Sequence, residues 1–387
     1  MFSVRVASVG LFFTVASSAF GVASAQTGAS EFKIGVVLPL TGPVAANGKY
    51  ELTGAYVAED MVNATGGIGG LPARIVVCDS QSQEQQAVIC AKHLTSDERV
   101  NLLLGAGVTP QTMAIIPTAL SSGTPLFSLA GGAVTYNPLK KWVFKGHFGN
   151  DDFMPPLLDY LKKKSFKKVA VLADTGPYGS DVVDQINKQF PGSGVEIAIL
   201  EKYAPTDTDF SAQITRIRAV KADALINLAP SEQAGAAISK KIIQLGINAP
   251  IVIGPNLQTD TFLALAGDTA DNMVFISSKV VFESIPEDDP TSAVIADFRS
   301  RFAKRYPKDS ALSLSVVAAD GILIAQNAAK TLGKDAADRD KLLAEIEKTT
   351  NFPAIQGIWT LSPASHGTPL TKGMAVASYN KGHWKPE

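Results

Sequence analysis

The chain has 387 residues, of which 35 are basic and 36 acidic, and 46% of it is hydrophobic. That near balance, without a basic stripe or a block of like charge, excludes a nucleic-acid binder and a charged interaction tail. The length exceeds what one ordinary core accommodates, so two lobes are expected. Residues 1–25 read as a secretory signal peptide. Arg5 is their sole charge, an apolar run follows to Phe20, and Ala23-Ser24-Ala25 forms a small-x-small cleavage site before Gln26. That run is too short and too rich in Ser and Gly to span a membrane, and no later stretch reaches about 18 uninterrupted apolar residues. The mature protein is therefore expected to be exported and soluble, with no Cys at its start to carry a lipid. Its 34 basic and 36 acidic residues give a net charge of −2 once Arg5 is removed.

Strand and helix alternate from residue 32 onward. A strand is predicted at 32–40 and a helix at 50–65, ended by Gly66-Gly67. A strand follows at 74–79 and a helix at 83–96, with Ala87, Cys90, Ala91 and Leu94 on one face. Cys78 and Cys90 are the chain's two cysteines. In an exported protein they read as a disulfide pinning the end of one strand to the next helix. A zinc site would need further ligands that no nearby His supplies.

The next segments are a strand at 100–104, a helix at 110–121 and a strand at 126–128. After Asp151 the alternation restarts. Helices are predicted from there to 163 and at 179–190, 210–220 and 232–245, with strands at 168–173, 195–201, 224–228 and 251–253. From Pro290 the pattern changes to helices at 291–306, 313–332 and 336–348 with no strand between them, and late strands at 357–361 and 374–379. Strand–helix repetition twice over predicts an α/β protein whose halves are each a parallel sheet with helices on both faces.

The stretch Asn101-Leu-Leu-Leu-Gly-Ala-Gly-Val-Thr-Pro-Gln-Thr112 carries the first functional signal. Its leucines read as a strand buried on both faces, Gly105 and Gly107 turn the chain, and Thr109 is an N-cap candidate ahead of Pro110. A strand tip feeding a helix N-terminus is an anion site in waiting. Pro125-Leu-Phe-Ser-Leu-Ala-Gly-Gly-Ala-Val134 repeats the theme, ending in small residues that would leave a cleft edge free of bulk. Glycines at such places also serve plain tight turns. In the second half Asp174-Thr-Gly-Pro-Tyr-Gly179 is a strand-tip loop bearing an aromatic hydroxyl, so Thr109 and Tyr178 would approach one ligand from opposite sides. The alternative is a rim tyrosine without a ligand.

Signatures of catalysis are poor. Gly105-Ala106-Gly107 opens a helix after a strand, but Pro110 occupies the third glycine position and the dinucleotide fingerprint fails. No Walker loop, G-x-S-x-G elbow or H-E-x-x-H motif occurs. Of the four histidines, His93, His366 and His383 read as solvated surface residues, while His147 falls at an expected lobe junction and could line a cleft. The acidic run Glu287-Asp288-Asp289 precedes a helix start and favours its dipole, which explains it better than a metal does.

The segments Lys33-Ile-Gly-Val-Val-Leu-Pro-Leu-Thr-Gly-Pro43, Ala46-Asn-Gly48, Gly54-Ala55 and Asn63-Ala-Thr-Gly-Gly-Ile-Gly-Gly70 resemble the solute-binding proteins of branched-chain amino-acid ABC transporters. So do Asp174 to Gly179, Asp209-Phe210-Ser211 and Gly254-Pro255. The resemblance covers residues 32–384, and its motifs are specific in combination. It implies a type I periplasmic binding protein, two doubly wound parallel-sheet lobes joined by three crossover segments near Phe148, Ser278 and Thr360. One lobe would hold residues 26–148 and 279–359, the other 149–278 and 360–387, and hinge closure would enclose the ligand.

Carried over residue by residue, Thr109 stands where a hydroxyl holds the ligand carboxylate, and Ala130, Gly131 and Gly132 match the backbone groups beside it. Gly132 replaces a frequent Thr. Tyr178 matches the tyrosine of the second lobe. Asn256 replaces the carboxylate that pairs with a ligand ammonium, Pro230 a second aromatic, and Asn47 an aromatic of the first loop. The resemblance and these departures imply a periplasmic receptor, not an enzyme, that needs no cofactor or metal, is monomeric and delivers its ligand to an inner-membrane ABC permease. The ligand expected is a small carboxylic acid without an α-ammonium, an aromatic or 2-oxo acid. Alternatives are a branched-chain amino acid or amide, an exported enzyme with a nucleophile–base pair, and the sensor domain of a signalling receptor. Glu232 and Glu283 are the acids that could restore an ammonium partner from another loop.

Overall fold

The computed structural model describes residues 1–2, 30–271, 273–309, 313–367, 370 and 373–387, so the expected signal-peptide cleavage site lies outside the described residues. The first lobe begins with β1 (Phe32–Leu38), α1 (Ala45–Ala64), β2 (Ala73–Asp79) and α2 (Glu84–Lys92). It continues with β3 (Leu102–Gly105), α3 (Thr109–Ser122), β4 (Leu126–Ser128) and β5 (Val143–Lys145). All five strands run parallel, in the order β2-β1-β3-β4-β5. Burial on both faces explains their sequence. Leu102 and Leu104 enter one core with Phe32, Ile34 and Val36, while Leu103 enters another with Val37, Ile115 and Ala119. Each such leucine contributes about 1.5–3 kcal/mol by burial.

The second lobe contains α4 (Asn150–Lys163), β6 (Lys168–Asp174), α5 (Pro177–Gln189), β7 (Glu196–Tyr203) and α6 (Ser211–Val220). Then come β8 (Ala224–Asn227), α7 (Glu232–Gln244), β9 (Ile251–Ile253), α8 (Asp260–Ala266) and β10 (Val274–Ser278). The chain returns to the first core with α9 (Ser292–Arg305), α10 (Ala319–Leu332) and α11 (Arg339–Ile346), then the short antiparallel pair β11 (Phe352–Ala354) and β12 (Gly357–Trp359). It ends in the second lobe with β13 (Met374–Asn380) and β14 (His383–Pro386).

The second sheet has the order β14-β13-β10-β9-β8-β6-β7. Its five central and far strands are parallel, but β13 and β14 are antiparallel additions at one edge. This corrects the expectation of a wholly parallel sheet. The two-residue turn between Asn380 and His383 makes β14 run back along β13. β13 itself enters from the first lobe rather than through a crossover helix of this sheet, and pairs antiparallel with β10.

Helix α1 begins at Ala45, five residues earlier than the pattern suggests. Asn47 and Gly48 read as loop residues, yet Gly48 is in the helix because a Cβ there would sit 2.3 Å from the Pro39 carbonyl oxygen. The close approach of helix to strand tip thus outweighs the modest cost of glycine in a helix.

Two of the passages between lobes are bonded to each other, and the third, at Ser278, to the segment ahead of α10. Gln356 accepts the Phe148 N–H at 2.9 Å and donates to the Gly146 and Val317 carbonyls. Asp152 accepts the Gly149 N–H and the Leu370 N–H, and forms an ion pair with buried Lys145 at 2.6 Å. Ser313 Oγ accepts the Ser278 N–H at 2.8 Å. Polar pairing of this kind lets backbone cross between cores without orphaned amides.

Candidate ligand-binding site

A cavity of about 440 Å³ lies between the lobes. Loops after β3 and β4 wall it on one side, and loops after β6, β8 and β9 on the other, where ligands gather in doubly wound sheets. Six prolines line it: Pro43, Pro110, Pro177, Pro205, Pro230 and Pro255. They supply apolar surface that carries no N–H donor, so polar recognition falls to a few side chains.

On the first-lobe side Thr109 is 2% exposed and its Oγ1 has no partner. The residue ahead of α3 is Val108, and Thr109 is the helix's first residue, with Pro110 second. The expected N-cap role of Thr109 is therefore corrected: its hydroxyl is left for something other than the helix. Gly131 also lines the cavity, whereas Ala130 and Gly132 stand behind the surface. The Ala130 N–H donates to Ser128 Oγ at 3.4 Å, and the Gly131 carbonyl accepts the Asn150 N–H at 2.9 Å. A Cβ on Gly132 would lie 2.7 Å from Thr109 Cγ2 and 2.8 Å from its Oγ1. Gly132 and Thr109 thus fit as a pair, and a side-chain hydroxyl at position 132 would displace the one at 109. Asn47, on α1, is 4% exposed and presents an unpartnered Oδ1.

Across the cleft, Tyr178 OH donates to Asn256 Oδ1 at 3.1 Å, and Asn256 Nδ2 donates to the Ala229 carbonyl at 2.8 Å. The amide therefore holds the tyrosine and ties two strand-tip loops together. Both residues line the cavity, as does Pro230. Neither Glu232 nor Glu283 lines it; Glu232 takes a hydrogen bond from Thr259 and Glu283 is exposed.

Asp174 and Asp207 are the acids in the lining. Asp207 accepts the Ala204 N–H at 2.8 Å, and Asp174 accepts the Gly176 N–H at 2.7 Å. Asp174 Oδ2 has no hydrogen-bond partner and would be 2.4 Å from a Cβ on Gly179, so it packs against the first turn of α5. Burial raises the Asp174 carboxyl above its ordinary range.

The cavity's hinge wall is built from His147, Phe148, Asn150 and Phe153. Burial pushes His147 down to about 4, so its imidazole is neutral, and Nδ1 donates to the Phe148 carbonyl. Asn150 is 0% exposed; its Nδ2 donates to Asp181 Oδ2 at 2.7 Å and its Oδ1 is unpartnered. His147 was expected at a lobe junction where it could line a cleft, and it does line the cavity; Phe148, expected only as a crossover, lines it too, as do Asn150 and Phe153. Gln111 and Ser82 also line the cavity; Gln111 follows Pro110 on α3, while Ser82 lies in the loop after β2, which carries no glycine to mark it.

Behind Gly107, Glu51 is fully buried with neither carboxylate oxygen partnered, and burial holds its carboxyl well above the usual range. It follows Asn47 by one helical turn. Expectations for the other histidines need one correction. His366 is buried, stacks on Phe144 and hydrogen-bonds Glu347 at 2.9 Å; it is a packing residue, not a solvated one.

The family model described as periplasmic binding protein matches residues 31–383. The Leu/Ile/Val-binding protein BraC3 of Rhizobium johnstonii is 27% identical over 311 residues, which is 80% of this chain and 81% of that one. The substrate-binding protein LivJ of Streptococcus pneumoniae, solved in complex with isoleucine, superposes with a TM-score of 0.78. It is 25% identical, with 92% of this chain and 98% of that chain covered. A solute-binding protein of Rhodopseudomonas palustris solved in complex with benzoate gives a TM-score of 0.76 at 21% identity, covering 92% and 95% of the two chains.

Proposed function

We propose that this chain, which belongs to the periplasmic binding protein family, is the extracytoplasmic receptor of an ABC importer for a small carboxylic acid lacking an α-ammonium, an aromatic or 2-oxo acid. The observation that carries the reading is the asymmetry of the cavity. One wall offers Thr109 Oγ1 and the N-terminus of α3, which suit a carboxylate through hydrogen bonding and dipole. Opposite stands a neutral amide, Asn256, already engaged with Tyr178, while the acids of that wall, Asp174 and Asp207, are tied to the Gly176 and Ala204 N–H groups. An ammonium enclosed there without an anion would incur a desolvation penalty of several kcal/mol. About 3 kcal/mol lowers affinity roughly a hundredfold. Proline faces and the Tyr178 ring suit a flat apolar body. The benzoate complex of the Rhodopseudomonas palustris protein is in keeping with this ligand class.

A second reading, a branched-chain amino acid, has Asp174 Oδ2 on its side, together with the names of the relatives. Calorimetry separates the two. Benzoate or the 2-oxo acid of leucine should bind at least tenfold tighter than leucine, and Asn256→Glu should narrow or reverse that preference. Micromolar leucine binding that Asp174→Asn abolishes, with no response to the acids, would establish the second reading instead.

A further inference from the structure

The cavity's hinge wall carries an acceptor that the carboxylate reading does not use. Asn150 stands at the start of α4 with its side chain wholly buried. Its Nδ2 faces the carboxylate of Asp181, an acceptor, at 2.7 Å. Turning the amide over would bring two oxygens together, so the orientation is fixed; Asn150 lines the cavity, and its Oδ1 is buried at the lining without a partner. That oxygen lies 3.5 Å from where a Cβ on Gly131 would stand, and Tyr178 Cε2 lies at the same distance from that point. Asn150 Oδ1, Gly131 and the edge of Tyr178 therefore meet at one spot of the lining. Asn47 adds a second buried, unpartnered amide oxygen. Buried carbonyl oxygens left unpaired are disfavoured, and they take O–H or N–H groups while repelling carbonyls and ethers.

We infer that Asn150 is a specificity residue that selects ligands bearing a hydroxyl donor, a hydroxylated aromatic acid above its unsubstituted parent. The inference rests on the carboxylate reading and names the substrate class within it. Donation from the ligand hydroxyl to Asn150 Oδ1 would complete the one amide whose other half is already committed to Asp181. Asp181 lies on α5 of the second lobe, so the same amide joins ligand, hinge and second lobe.

The test is calorimetry on the purified protein with benzoate, meta- and para-hydroxybenzoate and para-methoxybenzoate, alongside the hydroxy and oxo forms of isocaproic acid. One hydroxy acid should bind about tenfold tighter than its donor-free counterpart, with the methoxy acid no better than benzoate. In Asn150→Leu the gap should close to within twofold. The methoxy comparison is made on the unaltered protein, so a variant that fails to fold does not decide the matter. Equal affinity for hydroxylated and donor-free acids would overturn this inference alone, and so would a hydroxyl preference that survives Asn150→Leu. Silence toward every acid would overturn the carboxylate reading and this inference with it.

Discussion

At the scale of single residues, burial sets the protonation of the hinge wall and so the charge the ligand meets. His147 packs edge-on against Phe148 and gives its Nδ1 proton to the Phe148 carbonyl. The folded chain holds it neutral down to about pH 4, whereas in the unfolded chain an imidazole takes up its proton near 6.5. Between those values the unfolded state binds more protons, so stability rises with pH across the window and is lost as pH falls through it. The shift corresponds to about 3 kcal/mol. Buried acids such as Asp320, raised to about 6, contribute with the opposite sign. The clean measurement is therefore a difference. Urea unfolding of the protein and of His147→Gln, followed from pH 6.5 to 4, should show the parent losing about 3 kcal/mol more than the variant. Parallel slopes would mean that His147 is reached by solvent.

At the scale of elements, the disulfide between Cys78 and Cys90 joins the end of β2 to α2, closing a loop of sequence separation 12. Asp79, next to Cys78, accepts the Leu40 N–H at 2.9 Å and the Thr41 hydroxyl at 2.7 Å, so the same strand end anchors the loop that borders the cavity at Pro43 and Val44. Chain-entropy reasoning gives such a crosslink about 3 kcal/mol. The variant with both cysteines changed to alanine should lose about that much in urea unfolding, with a slope equal to or slightly steeper than the parent's because its unfolded chain is no longer crosslinked. A loss under about 1 kcal/mol would place the loop's stability in Asp79 rather than in the crosslink.

Most elements were legible because strands buried on both faces read as short apolar runs and amphipathic helices separate them. What escaped was short or placed by distant partners. Val143-Phe-Lys145 ends in a charge that reads as surface, yet Lys145 is buried because Asp151 and Asp152 arrive from α4. β10 leads straight into a crossover, and β14 exists as the return of β13. Of the cavity lining, Thr109 and Tyr178 were legible because strand tips announce themselves through glycine and proline, and Asn256 through the family resemblance. His147 was legible as a junction residue that could line a cleft, whereas Asn150 is placed by its distant partner Asp181 and no local pattern encodes that contact.

At the scale of the whole molecule, the lobes touch across the mouth of the cleft as well as at the hinge. Tyr50, on α1, donates to Asp260 Oδ2 at 2.7 Å, and the Asp260 N–H at the start of α8 donates back to the Tyr50 oxygen at 2.9 Å. Burial and the neighbouring Asp260 carboxylate raise the tyrosine's pKa, so the hydroxyl keeps its proton and the pair persists through the physiological range. Neither residue lines the ligand cavity. If the lobes close on the ligand as proposed, the pair would act on the opening equilibrium rather than on the ligand. Hinge-bending receptors bind with an apparent affinity scaled by the fraction of closed, competent molecules. Removing one hydroxyl at a partly solvated rim costs about 1 kcal/mol, a roughly fivefold fall in the closing constant. Tyr50→Phe should thus release whichever acid binds about fivefold faster, with its preference among acids unchanged. Asp260→Ala should do the same, and the double variant should add little, because the two changes remove one contact. Stopped-flow release rates measure the cycle, and small-angle scattering of the ligand-saturated variants should still show the closed radius of gyration. Unaltered release in Tyr50→Phe, or fully additive effects in the double variant, would show that the rim contact follows closure without helping to hold it.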